Sequence, residues 1–258
     1  DSGTLAITGL ATFTTSTSGA EIELDQTGST FAAGVSLNTT GSLGHATVDT
    51  GTNALAVATS SVGGDLTLES AHASGITDLV GATVTVGQNL SATATANSGV
   101  INLGDLDVDG TIALTAHNAA GNAGNATIVN AKAVKLATST VDGNLNVTAA
   151  VGNITDTGVL TVTGTSSFTT STTDADIQLD TTTNGFTGTV TVNTAGTAGL
   201  DDAEIHGGST SLGIIASGGV GTLKLTTTGA DITDEGALVV TGATTIDAGG
   251  GDVTLNDG

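Results

Sequence analysis

The amino-acid sequence predicts an all-β fold, a parallel β-helix in which successive turns of the chain stack on one another. Three observations lead to the β-helix: a long internal repeat, an alternation of apolar with polar residues, and 39 glycines without a single proline. A repeat gives every turn a similar neighbour to stack on, and alternation gives every strand one face for a core. The absence of proline fits a fold in which nearly every backbone N–H serves a hydrogen-bonded ladder.

The internal repeat is long enough to hold several turns. GITD ends at Asp78, NITD at Asp156 and DITD at Asp234, and the chain begins at an equivalent Asp1. These landmarks predict one continuous solenoid over residues 1–258, made of four sequence copies of which the last is partial: 1–77, 78–155, 156–233 and 234–258.

The four phenylalanines obey the same spacing. Phe13 is equivalent to Phe168, and Phe31 to Phe186, because the members of each pair are separated by two full copies of the repeat. Smaller apolar residues fill the two slots in the second copy: Leu90 and Val108. Because equivalent slots stay apolar, we expect these side chains to point into the core.

Apolar residues two positions apart mark the predicted strands. The clearest pairs are Leu5/Ile7, Ile22/Leu24, Val35/Leu37, Leu66/Leu68, Val84/Val86, Leu145/Val147, Leu160/Val162, Val190/Val192, Leu223/Leu225 and Leu238/Val240. Between them glycine, asparagine, aspartate and serine recur every few residues, as in tight turns. Each copy holds about eight or nine such runs, which favours three turns of about 26 residues per copy; four turns of about 19–20 residues is the alternative.

A repeat three turns long would also separate like charges. With neighbouring strands about 4.8 Å apart, one copy advances about 14 Å, which exceeds the Debye length of about 8 Å at physiological salt. Asp78, Asp156 and Asp234 would then repel one another weakly, whereas a one-turn repeat would bring them within about 4.8 Å. We therefore interpret the long repeat as a device that keeps equivalent carboxylates apart.

The formal net charge of −22 excludes several classes of partner. The chain has three basic residues, Lys132, Lys135 and Lys224, and no arginine. Nucleic acids and anionic membrane surfaces both need clusters of basic side chains, so we expect neither as a partner. No apolar run approaches the roughly 20 residues of a membrane helix, so no membrane insertion is expected. The surplus of carboxylates attracts cations.

The sequence DLDVDG, from Asp105 to Gly110, matches the start of a calcium-binding loop. Asp105, Asp107 and Asp109 alternate as calcium ligands do, and a glycine follows to turn the chain. The bidentate glutamate expected at position twelve is missing, since Ala116 stands there. These three aspartates are the candidate metal ligands, with calcium as the candidate cofactor and none required; an acidic strand edge is the alternative.

Two clusters of paired carboxylates raise the question of catalysis on acidic polysaccharides. They are DDAE, with Asp201, Asp202 and Glu204, and TDEG, with Asp234 and Glu235. Such enzymes also need basic groups for the charge of the substrate, and usually aromatic platforms, but arginine, tryptophan and tyrosine are absent. The sequence therefore predicts no enzymatic activity and assigns these carboxylates to solvated turns.

The histidines and threonines raise two further kinds of site. His45, His72, His117 and His206 hold non-equivalent places in the copies, which favours scattered surface histidines over a zinc centre. Runs such as TFTTSTS and SATATA resemble the hydroxyl ranks of ice-binding solenoids. Their threonines shift position from copy to copy, so ordinary strand-forming threonine is the preferred interpretation.

The stretch GNLNVTAAVGNITDTGVLTVTGTSSFTT, followed by ADIQLD and NGFTGTVTVNTAG, resembles the repeats of giant bacterial surface proteins of the filamentous haemagglutinin type. The likeness extends over the whole chain and is closest from Gly143 to Gly196. It implies the right-handedness of the β-helix, export to the bacterial cell surface and a role as a fibre or adhesin stalk. The secretion domain and receptor-binding tip of that family have no counterpart here, so no functional residue carries over.

These interpretations predict a structural rod of a bacterial extracellular fibre or adhesin stalk, which spans distance and mediates surface attachment or fibre assembly. Its expected partners are further copies of itself, end to end or side by side, and a host or cell-surface ligand. The alternative is a cation-binding or ice-binding solenoid, in which exposed aspartate or threonine ranks are the site. Without a signal peptide or a starting methionine, we expect the chain to be a piece of a longer protein.

Overall fold

Short parallel strands joined by tight corners build the described part of the chain. The computed structural model describes residues 1–117, 124–195 and 200–256, and in these ranges every regular element is a β-strand. They contain no helix of the length and apolarity that a membrane crossing requires. The strands pair in parallel and stack as a β-solenoid, which confirms the predicted fold class. The chain divides into two compact units, Asp1–Ala131 and Lys132–Gly258.

The first unit is a stack of short strands. They are β1 (Ala6–Ile7), β2 (Ala11–Thr14), β3 (Ile22–Leu24), β4 (Thr30–Phe31), β5 (Val35–Asn38), β6 (Ala46–Asp49), β7 (Leu55–Val57), β8 (Ser60–Val62), β9 (Leu66–Ser70), β10 (Ile76–Asp78), β11 (Val84–Val86), β12 (Leu90–Ala94), β13 (Ile101–Val108), β14 (Ile112–Ala116) and β15 (Ala126–Asn130). On one face the stacking order is β3, β6, β9, β12 and β14. Along it each residue lies opposite its equivalent in the next turn, in the order Ile22, Ala46, Leu66, Leu90 and Ile112.

The second unit is built in the same way. Its strands are β16 (Val134–Leu136), β17 (Ser139–Val141), β18 (Leu145–Ala149), β19 (Ile154–Asp156), β20 (Leu160–Val162), β21 (Ser166–Thr170), β22 (Ile177–Leu179), β23 (Gly185–Phe186), β24 (Val190–Asn193), β25 (Ala203–His206), β26 (Leu212–Val220), β27 (Leu223–Thr226), β28 (Ile232–Val240), β29 (Thr244–Asp247) and β30 (Val253–Thr254). On one face the residues that follow one another from turn to turn are Val134, Ile154, Ile177, Ala203, Leu223 and Thr244. As a mean over these registers, a turn takes about 22 residues in each unit, a length between the two predicted ones.

One sequence copy is about three and a half turns rather than a whole number. Ile154 and Ile232 are equivalent in sequence, yet they lie in different ladders of the second unit. Strand β19, with Ile154, pairs with β16 and β22, whereas β28, with Ile232, pairs with β26 and β30. Asp156 and Asp234 consequently do not stack in one column, and the idea that the long repeat keeps equivalent carboxylates apart stays an interpretation.

The core of each unit consists of the alternating residues that the sequence marks. The predicted inward residues Phe31, Leu90, Val108, Phe168 and Phe186 are all buried, and Phe13 is half-buried. Two of the predicted pairs, Leu5/Ile7 and Leu238/Val240, are half-buried, since they lie in the first and last turns. The rest of the predicted pairs are buried, as a one-sided strand requires.

Corners between strands come close to the neighbouring turn, and one of them requires glycine. Gly75 has a φ of +59°, a left-handed conformation that glycine adopts without steric cost. A Cβ added there would lie 1.8 Å from the carbonyl oxygen of Val100 in the next turn. The corner can therefore pack against its neighbour only because this residue has no side chain.

Candidate functional site

The residue immediately before a strand takes part in a polar ladder in the first unit. This first pre-strand ladder consists of His45, Asp65, Asn89 and Thr111, which precede β6, β9, β12 and β14. The Asp65 N–H donates to His45 Nδ1 (2.9 Å), and the Asn89 N–H donates to Asp65 Oδ1 (2.9 Å). The Thr111 N–H donates to Asn89 Oδ1 (2.9 Å). The side chains of His45, Asp65 and Asn89 thus each bind the backbone of the following turn.

The second unit has a matching ladder. This second pre-strand ladder consists of Asn153, Asp176, Asp202 and Thr222, which precede β19, β22, β25 and β27. The N–H groups of Asp176, Asp202 and Thr222 donate to the Oδ1 atom one turn earlier, at 2.9, 2.9 and 2.8 Å. Because asparagine and aspartate serve alike, the ladder needs an acceptor oxygen and does not need a charge.

The aspartate of the ITD phrase accepts a backbone N–H at each of the three places where the phrase occurs. Asp78 Oδ2 accepts the Asp105 N–H at 2.8 Å. Asp156 Oδ1 accepts the Asp180 N–H at 3.1 Å, and its Oδ2 accepts the side-chain amide of Asn184 at 2.6 Å. Asp234 Oδ1 likewise accepts the Asn256 N–H at 2.9 Å. The phrase recurs because its aspartate, at or near a strand end, binds the backbone of the following turn.

Asp78 carries an electrostatic cost for this role. Partial burial removes water from its carboxylate and raises the pKa of Asp78 above its usual range, and the nearby charge of Asp105 raises it further. Backbone N–H groups of Asp105 and Gly104 partly offset this effect by stabilising the ionised form. The fold therefore keeps the Asp78 carboxylate in place for its hydrogen bond to the Asp105 N–H, although burial disfavours the ionised form.

The predicted calcium ligands lie at one side of β13 and its following corner. Asp105 is exposed, Asp107 half-buried and Asp109 exposed, while Val108 between them is buried as expected. Asp105 Oδ1 accepts the Thr83 hydroxyl at 3.0 Å. Alternate residues of an extended strand are about 6.6 Å apart, whereas calcium ligands lie about 2.3–2.6 Å from the ion. The calcium assignment stays a prediction, and this spacing does not favour a single ion shared by all three.

The carboxylates of DDAE do not form a pair in solvent. Asp201 is 1% exposed, and its Oδ1 accepts the Asp174 N–H, so the prediction of a solvated turn is wrong for this residue. Asp202 belongs to the second pre-strand ladder. Glu204 accepts a hydrogen bond from the Lys224 ammonium, which lies directly opposite it on the next strand. Its neighbours raise the pKa of Lys224, first by this hydrogen bond and then by the Glu204 charge.

The second carboxylate cluster, TDEG, is likewise engaged. Asp234 is 8% exposed and holds the Asn256 N–H, so a solvated turn is again the wrong description. Glu235 is exposed, and its Oε1 accepts the Thr233 hydroxyl at 3.1 Å. The two carboxylates therefore serve different local contacts.

Three of the histidines serve the backbone through Nδ1. Their partners are the N–H groups of Asp65 for His45, Ser74 for His72 and Gly208 for His206, at 2.9 to 3.0 Å. An Nδ1 that accepts an N–H carries no proton, so the proton of the neutral ring lies on Nε2. Within residues 1–117, 124–195 and 200–256, no three histidine, aspartate or glutamate side chains are grouped so that they could hold a metal ion.

Hydroxyl ranks exist on the first unit but are short. On the face of β6, β9 and β12, Thr47, Thr67 and Ser91 lie opposite one another, while Thr93 and Thr115 form a second rank on β12 and β14. In the first rank, the next residue on β3 is Glu23. In the second rank, the next residues are Glu69 on β9 and Asp49 on β6. The regular array that the ice-binding alternative requires therefore spans two or three turns on this face.

A small cavity of about 240 Å³ opens in the first unit, where two strands lie side by side without a ladder. It is lined by Thr30, Phe31 and Ala32 of one turn and by Asn53, Ala54 and Ala56 of the next. Strand β4 pairs with β1, and β7 pairs with β5 and β10, so the ladder is interrupted between β4 and β7. The lining has no charged group that would point to a catalytic site.

Residues 123–193 and 196–258 each match a family of repeats described as repeats of unknown function (DUF5649). Together the two matches cover just over half of the chain. The chain belongs to this family. Membership agrees with the stacked turns of the second unit and supplies no activity, since the description of the DUF5649 repeats assigns none. No curated protein and no solved structure is significantly similar to the chain.

Sequence reasoning missed the pre-strand ladders, although a signal for them exists. Aspartate, asparagine or histidine stands directly before the apolar first residue of a strand at His45, Asp65, Asn89, Asn153 and Asp176. These pre-strand residues recur once per turn. The obvious sequence repeat, the ITD phrase, has a much longer period, from Asp78 to Asp156 and from Asp156 to Asp234, so it drew attention away from the shorter one.

Proposed function

We propose that this DUF5649 chain is a structural scaffold, a length of rod whose stacked turns span distance. One observation carries the proposal: many of the carboxylate, amide and imidazole groups that chemistry would need are used to hold one turn to the next. Members of both pre-strand ladders and the ITD aspartates accept backbone N–H groups from the following turn. Apolar side chains, mostly aliphatic, fill the space between the strands. Such a chain resists extension turn by turn, because each turn is bonded along the stacking direction.

Single-molecule pulling from the two termini tests this role. A turn of about 22 residues releases roughly 75 Å of chain, at up to about 3.3–3.6 Å per residue. We expect the extension to rise in steps that cluster at whole multiples of this length, each at a measurable force. Melting in a single event without measurable force would contradict a scaffold that carries tension.

We also propose that the scaffold works outside a bacterial cell, as part of a fibre or adhesin stalk. The support is the likeness of residues 143–196 to the repeats of filamentous haemagglutinin-type surface proteins, together with the excess of negative charge, which favours solubility. Antibodies raised against this chain should label intact cells of a bacterium that produces it. External protease should remove that label, and a label seen only after lysis would place the scaffold inside the cell.

Cation or ice binding is the second candidate function. Two short hydroxyl ranks on the first unit and the outward aspartates of β13 are the observations that favour it. A thermal-hysteresis assay and calorimetry with calcium distinguish it from a passive scaffold. A scaffold gives neither hysteresis nor a saturable heat.

A further inference from the structure

Four adjacent strands on one face of the second unit present no charged side chain, in a chain whose formal net charge is −22; the next strand, β28, presents the exposed Glu235. We call this four-strand surface the neutral face and define it by the outward residues of β18, β21, β24 and the middle of β26. They form two columns: Asn146, Ser167, Thr191 and Ile215 in one, and Thr148, Thr169, Asn193 and Ser217 in the other. All eight side chains are half-buried or exposed.

The polar groups of the neutral face are also unused within the described residues. No hydrogen bond joins any of the eight side chains to another described residue. At the corners of the same unit, by contrast, side chains of the second pre-strand ladder accept N–H groups of the next turn. The hydroxyl and amide groups therefore face outward with donors and acceptors available to a partner.

Other faces differ in charge. In the second unit, the face of β16, β19, β22, β25 and β27 presents Lys135, Glu204 and Lys224. In the first unit, the face of β3, β6, β9 and β12, which we call the acidic face, presents Glu23, Asp49 and Glu69. Two copies that approach through such acidic residues repel each other within the Debye length of about 8 Å. The neutral face avoids that repulsion.

We propose that the neutral face is a side-by-side docking surface for a second copy of this chain. The inference rests on the scaffold function and names the partner surface for it. Flat parallel strands present ranks of small polar residues about 4.8 Å apart, so two such faces can lie against each other and exchange hydrogen bonds. The second copy is the occupant because, in a chain of net charge −22, its own neutral face lacks the charges that repel.

The size of the face predicts weak association for a single chain. Four strands about 4.8 Å apart, with two outward residues about 6.6 Å apart on each, cover roughly 200 Å². A stable interface buries about 800 Å² on each partner. One chain should therefore dimerise only at high concentration, while arrays with many such faces would bind through their combined valency.

Sedimentation of the full chain at rising concentration tests the proposal. Thr169 lies in the middle of the neutral face, between Thr148 and Asn193. We expect Thr169→Asp to weaken self-association at least fivefold. The matched control is Thr67→Asp on the acidic face, also between residues of two adjacent turns, which should stay within twofold of the unchanged chain. Thermal unfolding of both variants confirms that each is folded.

Crosslinking gives an independent measurement, because the chain contains no cysteine. With a short bis-maleimide, Thr169→Cys should yield several times more dimer than Thr67→Cys. Equal yields, equal weakening by both aspartates, or a chain that stays monomeric at every concentration would overturn the proposal. Capture of a neutral polysaccharide by the unchanged chain without self-association would assign the face to another partner and overturn it too. None of these results would change the stepwise extension expected in the pulling experiment, so that experiment tests the scaffold function independently of the docking surface.

Discussion

Phe168 and Phe186 meet edge to face, with ring centroids 6.1 Å apart and ring planes at 80°. The equivalent pair in the first unit, Phe13 and Phe31, meets at 6.1 Å and 83°. Residues two sequence copies apart thus rebuild the same contact in a separate unit. The edge-to-face arrangement suits the quadrupoles of the two rings and adds to their burial. The sequence repeat is therefore also a repeat of side-chain packing.

The first prediction concerns this aromatic contact. Phe168→Ala removes a fully buried ring and should lower the free energy of unfolding by about 3–5 kcal/mol, because it leaves a cavity in a narrow core. Phe13→Ala removes the equivalent ring from a half-buried site and should cost clearly less. Denaturant midpoints of the two variants give the comparison. Equal losses would mean that burial does not decide how much each ring contributes.

The second prediction concerns the aspartate of the ITD phrase. Asp156→Ala leaves the part-buried backbone N–H of Asp180 and the buried side-chain amide of Asn184 without their acceptor. We expect a loss of about 2–3 kcal/mol in unfolding free energy, the cost of unsatisfied buried donors. Asp180→Ala, which removes a charge from an exposed position of the next turn, serves as the control and should change stability little. Equal effects of the two variants would show that charge, not the hydrogen bond, matters at this corner.

The class of fold was predictable from the sequence because strand alternation is a local property. Pairs such as Leu66/Leu68 and Val190/Val192 needed no knowledge of neighbouring turns to be assigned an inward face. Equivalent slots such as Phe31 and Val108 also behaved alike, since a core position keeps its inward direction when its volume changes. These features depend on one strand at a time.

The turn length and the corner ladders were not predictable in the same way. The register step from Ile177 to Ala203 is longer in sequence than the step from Ala203 to Leu223, so the length of a turn varies along one face. One sequence copy is not a whole number of turns, so the length of the copy does not reveal the length of a turn. The role of Asp156 as a buried acceptor depends on which backbone lies in the next turn, and that follows only from the register.

The third prediction tests whether carboxylates in the pre-strand ladders act as acceptors alone. Asp176→Asn and Asp202→Asn keep an oxygen for the next N–H and remove one negative charge each. We expect both variants to be as stable as the unchanged chain or slightly more stable, because self-repulsion in an acidic chain decreases. Asp202→Ala should instead lose about 1 kcal/mol or more, as a missing cap does. Thermal unfolding at constant salt compares them, and a large loss in Asp202→Asn would reject the acceptor role.

The fourth prediction is a pH dependence at Asp78. Because burial raises the pKa of Asp78 in the folded chain, the folded state binds this proton more tightly than the unfolded state does. The contribution of Asp78 to stability is therefore greatest below its ordinary pKa and declines as pH rises through the folded value. Asp78→Asn keeps an oxygen for the Asp105 N–H without the charge, so it should raise Tm at pH 7 by about 1–3 °C. That gain should vanish at about pH 3, where the carboxyl is mostly protonated in both states; a gain independent of pH would contradict the assignment.

The fifth prediction concerns calcium and the aspartates of DLDVDG. Asp105 and Asp107 alternate along β13 and Asp109 lies in the corner after it, so the extended spacing does not favour one ion bound by all three carboxylates. We expect calcium to raise Tm by screening the net charge of −22, and we expect the same rise in Asp107→Asn as in the unchanged chain. Magnesium at equal concentration should act alike, since screening depends on ionic charge and not on coordination geometry. A saturable calcium heat in calorimetry that disappears in Asp107→Asn would instead establish a specific site at β13, and the aspartates would then be ligands as the motif predicts.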